Sequence, residues 1–320
     1  MSESDLFVER RKLKRSRAFW RAATFFGLAV AVFAGGIAAG AGDKLFESRS
    51  HIARIAIEGT ITGDEKTLDL LKRAERSMVK GVVLVVDSPG GTVTGSEALH
   101  RAVRRIAEKK PVVAVVDGMA ASGGYIAAVA AERIVTRETS ILGSIGVMFQ
   151  YPNIVGMLDK LGIRMEGVKT GPLKAAPNPV EPMTPESREA LEEVIGDSFE
   201  WFKRLVQDRR GLSDAELARV SDGRVFSGRQ GIALKLADEL GDERRAVEWL
   251  KRDKSLGELP VTRYKREDAA DRLNIFSVAA FIADIIGAER VASALRRSAA
   301  AEPSPVLDGL LALWHPAAQN

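Results

Sequence analysis

The stretch Pro111–Glu132, "PVVAVVDGMAASGGYIAAVAAE", sets a run of β-branched residues directly before a run of small ones. Four valines in the first part predict a buried strand, and the Ala- and Gly-rich remainder predicts a helix packed closely against it. Ser122 falls at the junction, a lone hydroxyl among Ala120, Ala121, Gly123 and Gly124. Outward from this stretch the same alternation recurs. "IARIAIEG" from Ile52 and "GVVLVVDSPGG" from Gly81 read as strands, as do "RIVT" and "SILGSIGVMF", while "KTLDLLKRAERS" and "TGSEALHRAVRRIAEKK" read as helices. Strand and helix in alternation predict βαβ units around a largely parallel sheet, an α/β fold.

In such a sheet, consecutive strands end side by side on one edge, where ligand sites form. "DSPGG" (Asp87–Gly91) ends one strand and "ASGG" ends the next. Either glycine turn alone is ordinary; two at adjacent strand ends predict a site. The amides of Gly123, at the helix start, and of the Gly90/Gly91 turn are candidates for an oxyanion hole, worth about 3 kcal/mol per donor in acyl transfer. Asp87 and Asp117 read as turn formers, Tyr125 as core packing, and Met119 as a residue near the nucleophile turn.

A serine nucleophile needs a base. Of three histidines, His51 and His315 are poorly placed, and His100, among Arg101, Arg104 and Arg105, reads as a solvated surface residue. A lysine can replace histidine when burial or neighbouring positive charge keeps it neutral. Lys160 reads as an exposed helix position. The Pro-rich loop "TGPLKAAPNPVEPMTP" (Thr170–Pro185) holds Lys174 between Leu173 and Ala175, an apolar setting, with Lys169 as the reserve. A long helix follows, opened by Thr184 and Pro185 and stopped by Gly211, then a short helix after Ser213 and two more to about Lys251.

Composition narrows the function classes. The 320 residues contain no cysteine, which excludes disulfides, thiolate metal sites and a cysteine nucleophile. The net charge of +4 comes entirely from residues 1–21, so the remainder is formally neutral and a nucleic-acid surface has no support. That basic segment precedes 21 uncharged residues, Ala22–Gly42, about one bilayer span. The positive-inside rule puts the N-terminus in the cytoplasm and everything after residue 42 outside. An uncleaved anchor is favoured over a cleaved secretory signal because the apolar run exceeds a usual signal core. Residues 43–263 then form the exported domain. Residues 264–320 form a helical tail of unassigned role, with Ile275, Val278, Ile282 and Ile285 on one face.

The ordered pieces "DSPGG", "MAASGGY", "LGSIGV", "KTGPLKAAPNPVEPMT" and "DGRVFSGRQGIALKLADELG" closely resemble the signal peptide peptidase A family in its short, single-repeat bacterial form. The resemblance implies a Clp-protease-like (crotonase-like) fold and a serine–lysine dyad peptidase that needs no metal or cofactor. It implies Ser122 as nucleophile, Lys174 as general base, Ser144 as the serine that positions the lysine amine, and Gly90, Gly91 and Gly123 as the oxyanion glycines. The family often has a tyrosine before this lysine and an acid after it, where this chain has Leu173 and Ala175. The implied substrates are remnant signal peptides and other apolar peptides in the bacterial inner membrane. The implied assembly is a homo-oligomeric ring, an octamer, with serine and lysine from neighbouring protomers. Two rival readings are a crotonase-type acyl-CoA hydratase or isomerase, which the export signal opposes, and a non-catalytic membrane scaffold, which the intact Ser122, Ser144 and Lys174 set opposes.

Overall fold

A computed structural model describes Trp20, Thr24, Gly27, residues 49–266 and Leu311–Leu313. The β-branched runs become neighbours: β1 (His51–Ile61), β2 (Val79–Thr92) and β3 (Val112–Ala121) pair in parallel. The crossovers are α1 (Glu65–Ala74) and α2 (Val93–Ala107). Asp64 starts α1 by accepting the Thr67 N–H at 2.9 Å, and Thr92 starts α2 by accepting the Gly95 N–H at 3.1 Å. Each cap satisfies one of the amide donors that a helix start leaves unpaired. Then follow α3 (Gly123–Ala128), β4 (Arg133–Thr136), β5 (Ile141–Gly143), α4 (Val155–Lys160), α5 (Pro185–Arg210), α6 (Asp214–Val220), β6 (Val225–Ser227), α7 (Gly228–Ala233), β7 (Glu239–Leu240), α8 (Glu243–Arg252), β8 (Val261–Tyr264) and β9 (Leu311–Leu313).

The central strands are apolar throughout because both sheet faces are covered. Side-chain alternation sends Leu84, Val86, Ala114 and Val116 into the larger core with Leu99, Ile126 and Phe202. Val83, Val85, Val113 and Val115 pack on the other face against Ala246, Trp249 and Leu250 of α8. The sheet runs β6-β5-β3-β2-β1-β8, with β4 on β3 and β9 on β2. It forks along β3: Val113–Val116 pair with β4, whereas Met119–Ala121 pair with β5. Ser140 braces the fork, its hydroxyl 2.9 Å from the carbonyls of both Val116 and Asp117. Everything placed by the second branch, β5 included, serves the end of β3 where Ser122 sits.

The long helix matches its sequence signals. Thr184 and Ser187 form a reciprocal capping box at the start of α5, and Gly211 closes it in the left-handed region at φ 60°. Three features differ from expectation. The "PGG" segment is not a turn off the end of β2 but part of the strand, with Gly90 and Gly91 paired to Thr60 and Ile61 after a register shift in β1. β8 adds to β1 in parallel through Ile52–Ile55, a strand too short and too mixed in polarity to be legible as one. β9 comes from the segment read as tail and pairs antiparallel with Gly90–Thr92. Among the described residues no helix is long and apolar enough to cross a membrane. The expected span 22–42, apart from Thr24 and Gly27, and the tail face at Ile275, Val278, Ile282 and Ile285 lie outside the described residues.

Candidate active site

Ser122 links β3 to α3 and is buried, with φ 53° and ψ −116°. Its N–H donates to the Gly143 carbonyl at 2.8 Å, and its own carbonyl accepts from Tyr125 and Ile126 at 2.9 and 3.0 Å. The backbone is therefore pinned on both sides, while the hydroxyl does not cap the helix and forms no other hydrogen bond among the described residues. A non-glycine residue in this region costs on the order of 1–3 kcal/mol, and glycine would sit there without strain. Five described non-glycine residues have positive φ, and three of them are Ser122, Ser144 and Ala175, the last directly after Lys174. Ser122 and Ser144 are thus two candidate site residues held in this region.

Ser144 follows β5, is buried, and donates its N–H to the Arg224 carbonyl at 2.8 Å. Ala121 pairs with Gly143, so Ser122 and Ser144 flank one inter-strand link. At the start of α3, the amides of Gly123 and Gly124 have no acceptor among the described residues. A Cβ on Gly124 would lie 2.5 Å from the Ser88 carbonyl oxygen, so α3 presses directly on the "DSPGG" strand end. The two glycine segments predicted to share an edge do meet. Gly90, at φ 112°, donates its N–H to the Ser88 hydroxyl at 3.1 Å, an amide the sequence reading had aimed at substrate. Asp87 braces the same place, accepting the Met119 N–H at 3.0 Å, and Asp117 pairs with Arg137 at 2.5 Å. Tyr125 is fully buried as expected, its hydroxyl donating to the Leu236 carbonyl at 2.9 Å; burial pushes that phenol well above its usual range.

Among the described residues no hydrogen bond joins the lysine loop to this cluster. Lys174 is exposed, and its amine makes no hydrogen bond or ion pair among the described residues. Lys169 is ion-paired to Glu181, whose carboxyl is held below its usual value by the Lys169 amine and by the Asn178 amide. The Lys169 amine is thus occupied by a carboxylate. The structure thus separates the two candidates, leaving Lys174 without a carboxylate partner. Lys160 ends α4 and is exposed, as expected.

His100 corrects the sequence reading. It is buried, not solvated, and its Nδ1 lies 2.9 Å from the Ile126 carbonyl of α3. A carbonyl only accepts, so Nδ1 carries the proton. The missed signal was its helical register with Leu99 and Val103, which puts it on the inward side of α2. Arg104 and Arg209 join it, donating to the carbonyls of Ala130, Val129 and Ala131, so the C-terminal end of α3 is capped by three basic side chains. Burial, followed by the nearby arginines, lowers the His100 pKa despite its bond to Ile126. A depressed histidine favours the neutral form in the folded state, so its contribution is complete above the unfolded value near 6.5 and is lost as pH falls below it. Unfolding free energy is expected to drop more steeply from pH 7 to 5 than in His100→Asn, which keeps a donor toward Ile126 but does not titrate. Equal slopes in urea unfolding of the two proteins would refute this.

Among the described residues no cluster of acidic and histidine side chains could hold a metal ion. The model of peptidase family S49 matches residues 104–257, and that of Clp protease matches residues 60–144. A Methanocaldococcus jannaschii protein provisionally described as a protease is 36% identical over 227 residues, 71% of this chain and 70% of its own. An Enterococcus faecium protein provisionally named signal peptide peptidase SppA is 28% identical over 235 residues, 69% of this chain and 68% of that one. Protease 4 of Salmonella typhi is 33% identical over 190 residues, 59% of this chain and 31% of that protein. Matches of this extent, covering the strand ends, the strained Ser122 and the loop beyond it, show that the chain belongs to peptidase family S49 and is a serine protease of the signal peptide peptidase A family.

Proposed function

We propose that this chain is a membrane-anchored endopeptidase that uses Ser122 and Lys174 to degrade remnant signal peptides after protein export. The observation that carries the reading is Ser122 itself: a buried serine held at φ 53° with an unbonded hydroxyl, beside the unpartnered amides of Gly123 and Gly124. The Lys174 amine takes the Ser122 proton, the alkoxide attacks a peptide carbonyl, and the amides of Gly123 and Gly91 donate to the oxyanion. The amine leaves with a proton from Lys174, which then deprotonates the water that releases the acyl group. Ser144 orients the lysine amine.

Lys174 reaches Ser122 from a neighbouring copy in a homo-oligomeric ring, an octamer. Two features support this: the Lys174 amine is exposed and has no partner among the described residues, and the same segment exposes Met157, Leu161, Ile163, Met165 and Leu173. Exposed apolar side chains gathered on one segment mark an interface. Residues 22–42 cross the bacterial inner membrane, with the Clp-protease-like domain on its outer side, close to substrates left in the bilayer.

The substrate adds as an extended strand to Gly90–Thr92, the edge that Leu311–Leu313 covers in antiparallel pairing. Strand addition gives main-chain affinity without demanding a particular sequence, which suits varied apolar peptides. Deleting residues 303–320 is therefore expected to lower KM for a peptide severalfold with kcat little changed; an unchanged KM would show that the edge is not the substrate's. The class of reaction is tested by incubating the detergent-solubilised full chain with a synthetic signal peptide and with a fluorophosphonate. Hydrolysis with labelling at Ser122 is expected, and an unlabelled Ser122 would remove the peptidase mechanism.

A further inference from the structure

Ser88 is fully buried between the two halves of the site, and the reaction just described gives it no part. Its hydroxyl donates to the Gly59 carbonyl at 2.6 Å and accepts the Gly90 N–H at 3.1 Å. Gly59, at φ 70°, lies in the register shift of β1 between Glu58 and Thr60, and Gly90, at φ 112°, is the first glycine of the strand end. One hydroxyl thus ties Gly59, which the β1–β2 register skips, to Gly90, where the pairing resumes. Its backbone does a second job. Ser88 pairs with Ala120, two residues before Ser122, and its carbonyl and Cβ would lie 2.5 and 3.2 Å from a Cβ on Gly124. A displacement of Ser88 is therefore felt on both sides of the nucleophile.

We propose that Ser88 is a positioning residue that sets the Gly90–Gly91 segment against Ser122 and the start of α3, aligning the oxyanion donors. The inference rests on the reading of Ser122 as nucleophile. Without the hydroxyl, the buried Gly90 N–H loses its acceptor, and the Gly90–Gly91 segment turns to find another. Donors that are a fraction of an ångström out of place still allow a peptide to bind but fail the tetrahedral intermediate, where small misplacements are costly. The effect belongs on kcat, not on KM.

The test uses the full chain in detergent, comparing the native protein with Ser88→Ala and Ser88→Cys. The cysteine variant keeps most of the volume while offering only a weak donor and acceptor, and it serves if the alanine variant fails to fold. Fluorophosphonate labelling of native Ser122 comes first; its absence would sink the nucleophile assignment and the role of Ser88 with it, whereas the variants test Ser88 alone. Given labelling, both variants are expected to lose kcat by on the order of a hundredfold with KM unchanged. Affinity for a peptide boronate, which forms a tetrahedral adduct on serine, should fall in parallel with kcat, while affinity for the matching uncleavable peptide should not. Native kcat in a variant with only a lowered melting temperature would overturn the proposal, as would a loss confined to KM. Full activity in Ser88→Cys beside an inactive Ser88→Ala would also overturn it, since packing alone would then suffice.

Discussion

Ser122→Ala and Lys174→Ala are each expected to lower the hydrolysis of a synthetic signal peptide by roughly 10⁴-fold or more, since members of a catalytic unit fail together when one is removed. A mixture of the two, unfolded and reassembled together, is expected to recover about a quarter of native activity. In a head-to-tail ring each site joins a serine from one copy to a lysine from the next, and a random mixture unites the two intact residues at one interface in four. The expectation follows from where the residues sit in the single chain: Ser122 buried at the sheet edge, Lys174 exposed with its amine unpaired. No recovery in a mixture shown to co-assemble would place both residues in one chain and require the lysine loop to fold back onto the edge. Lys169→Ala supplies the control. Its amine is bound to Glu181, so its loss should loosen the loop without removing the base.

The sheet was legible in the sequence because its signals are local. "VVLVV" and "VVAVV" can be buried on both faces and little else, and the helices between them carry their own caps, as Thr92 does for α2 and Thr184 for α5. Ser122 was legible for a related reason: a lone hydroxyl between a strand and a Gly-Gly helix start has few structural uses. What stayed hidden depends on distant partners. β8 exists because β1 has an open edge, β9 because the Gly90–Thr92 edge accepts a strand, and no local pattern announces either. His100 was misread because three neighbouring arginines suggest solvent, whereas Arg104 reaches round it to the end of α3 and leaves the imidazole covered. Ser88 was overlooked inside "DSPGG" because the glycines drew the chemical reading, although its hydroxyl accepts the Gly90 N–H.

Gly91→Ala is expected to be the most destabilising single-methyl change in the site. An added Cβ would lie 1.8 Å from the Ile61 carbonyl oxygen and 2.6 Å from the Ile61 nitrogen, both of them backbone atoms that no side-chain rotation can move. Relief requires parting β1 from β2 where Thr60 and Ile61 pair with Gly90 and Gly91. A clash of this kind belongs with the exceptional substitutions that cost about 4 kcal/mol or more, a large share of the 5–15 kcal/mol that usually separates folded from unfolded chains. The melting temperature should fall by roughly 10 °C or more, if the protein folds at all. Gly211→Ala provides the contrast. Gly211 also has positive φ but nothing lies within 4 Å of its added Cβ, so only conformational strain of about 1 kcal/mol is expected. Similar melting temperatures for the two variants would mean that β1 and β2 do not approach as closely as described. A Gly91 effect well beyond that of Gly211 would mean that the glycine is demanded first by the strand pairing, and that the oxyanion donors are built on a contact the sheet already needs.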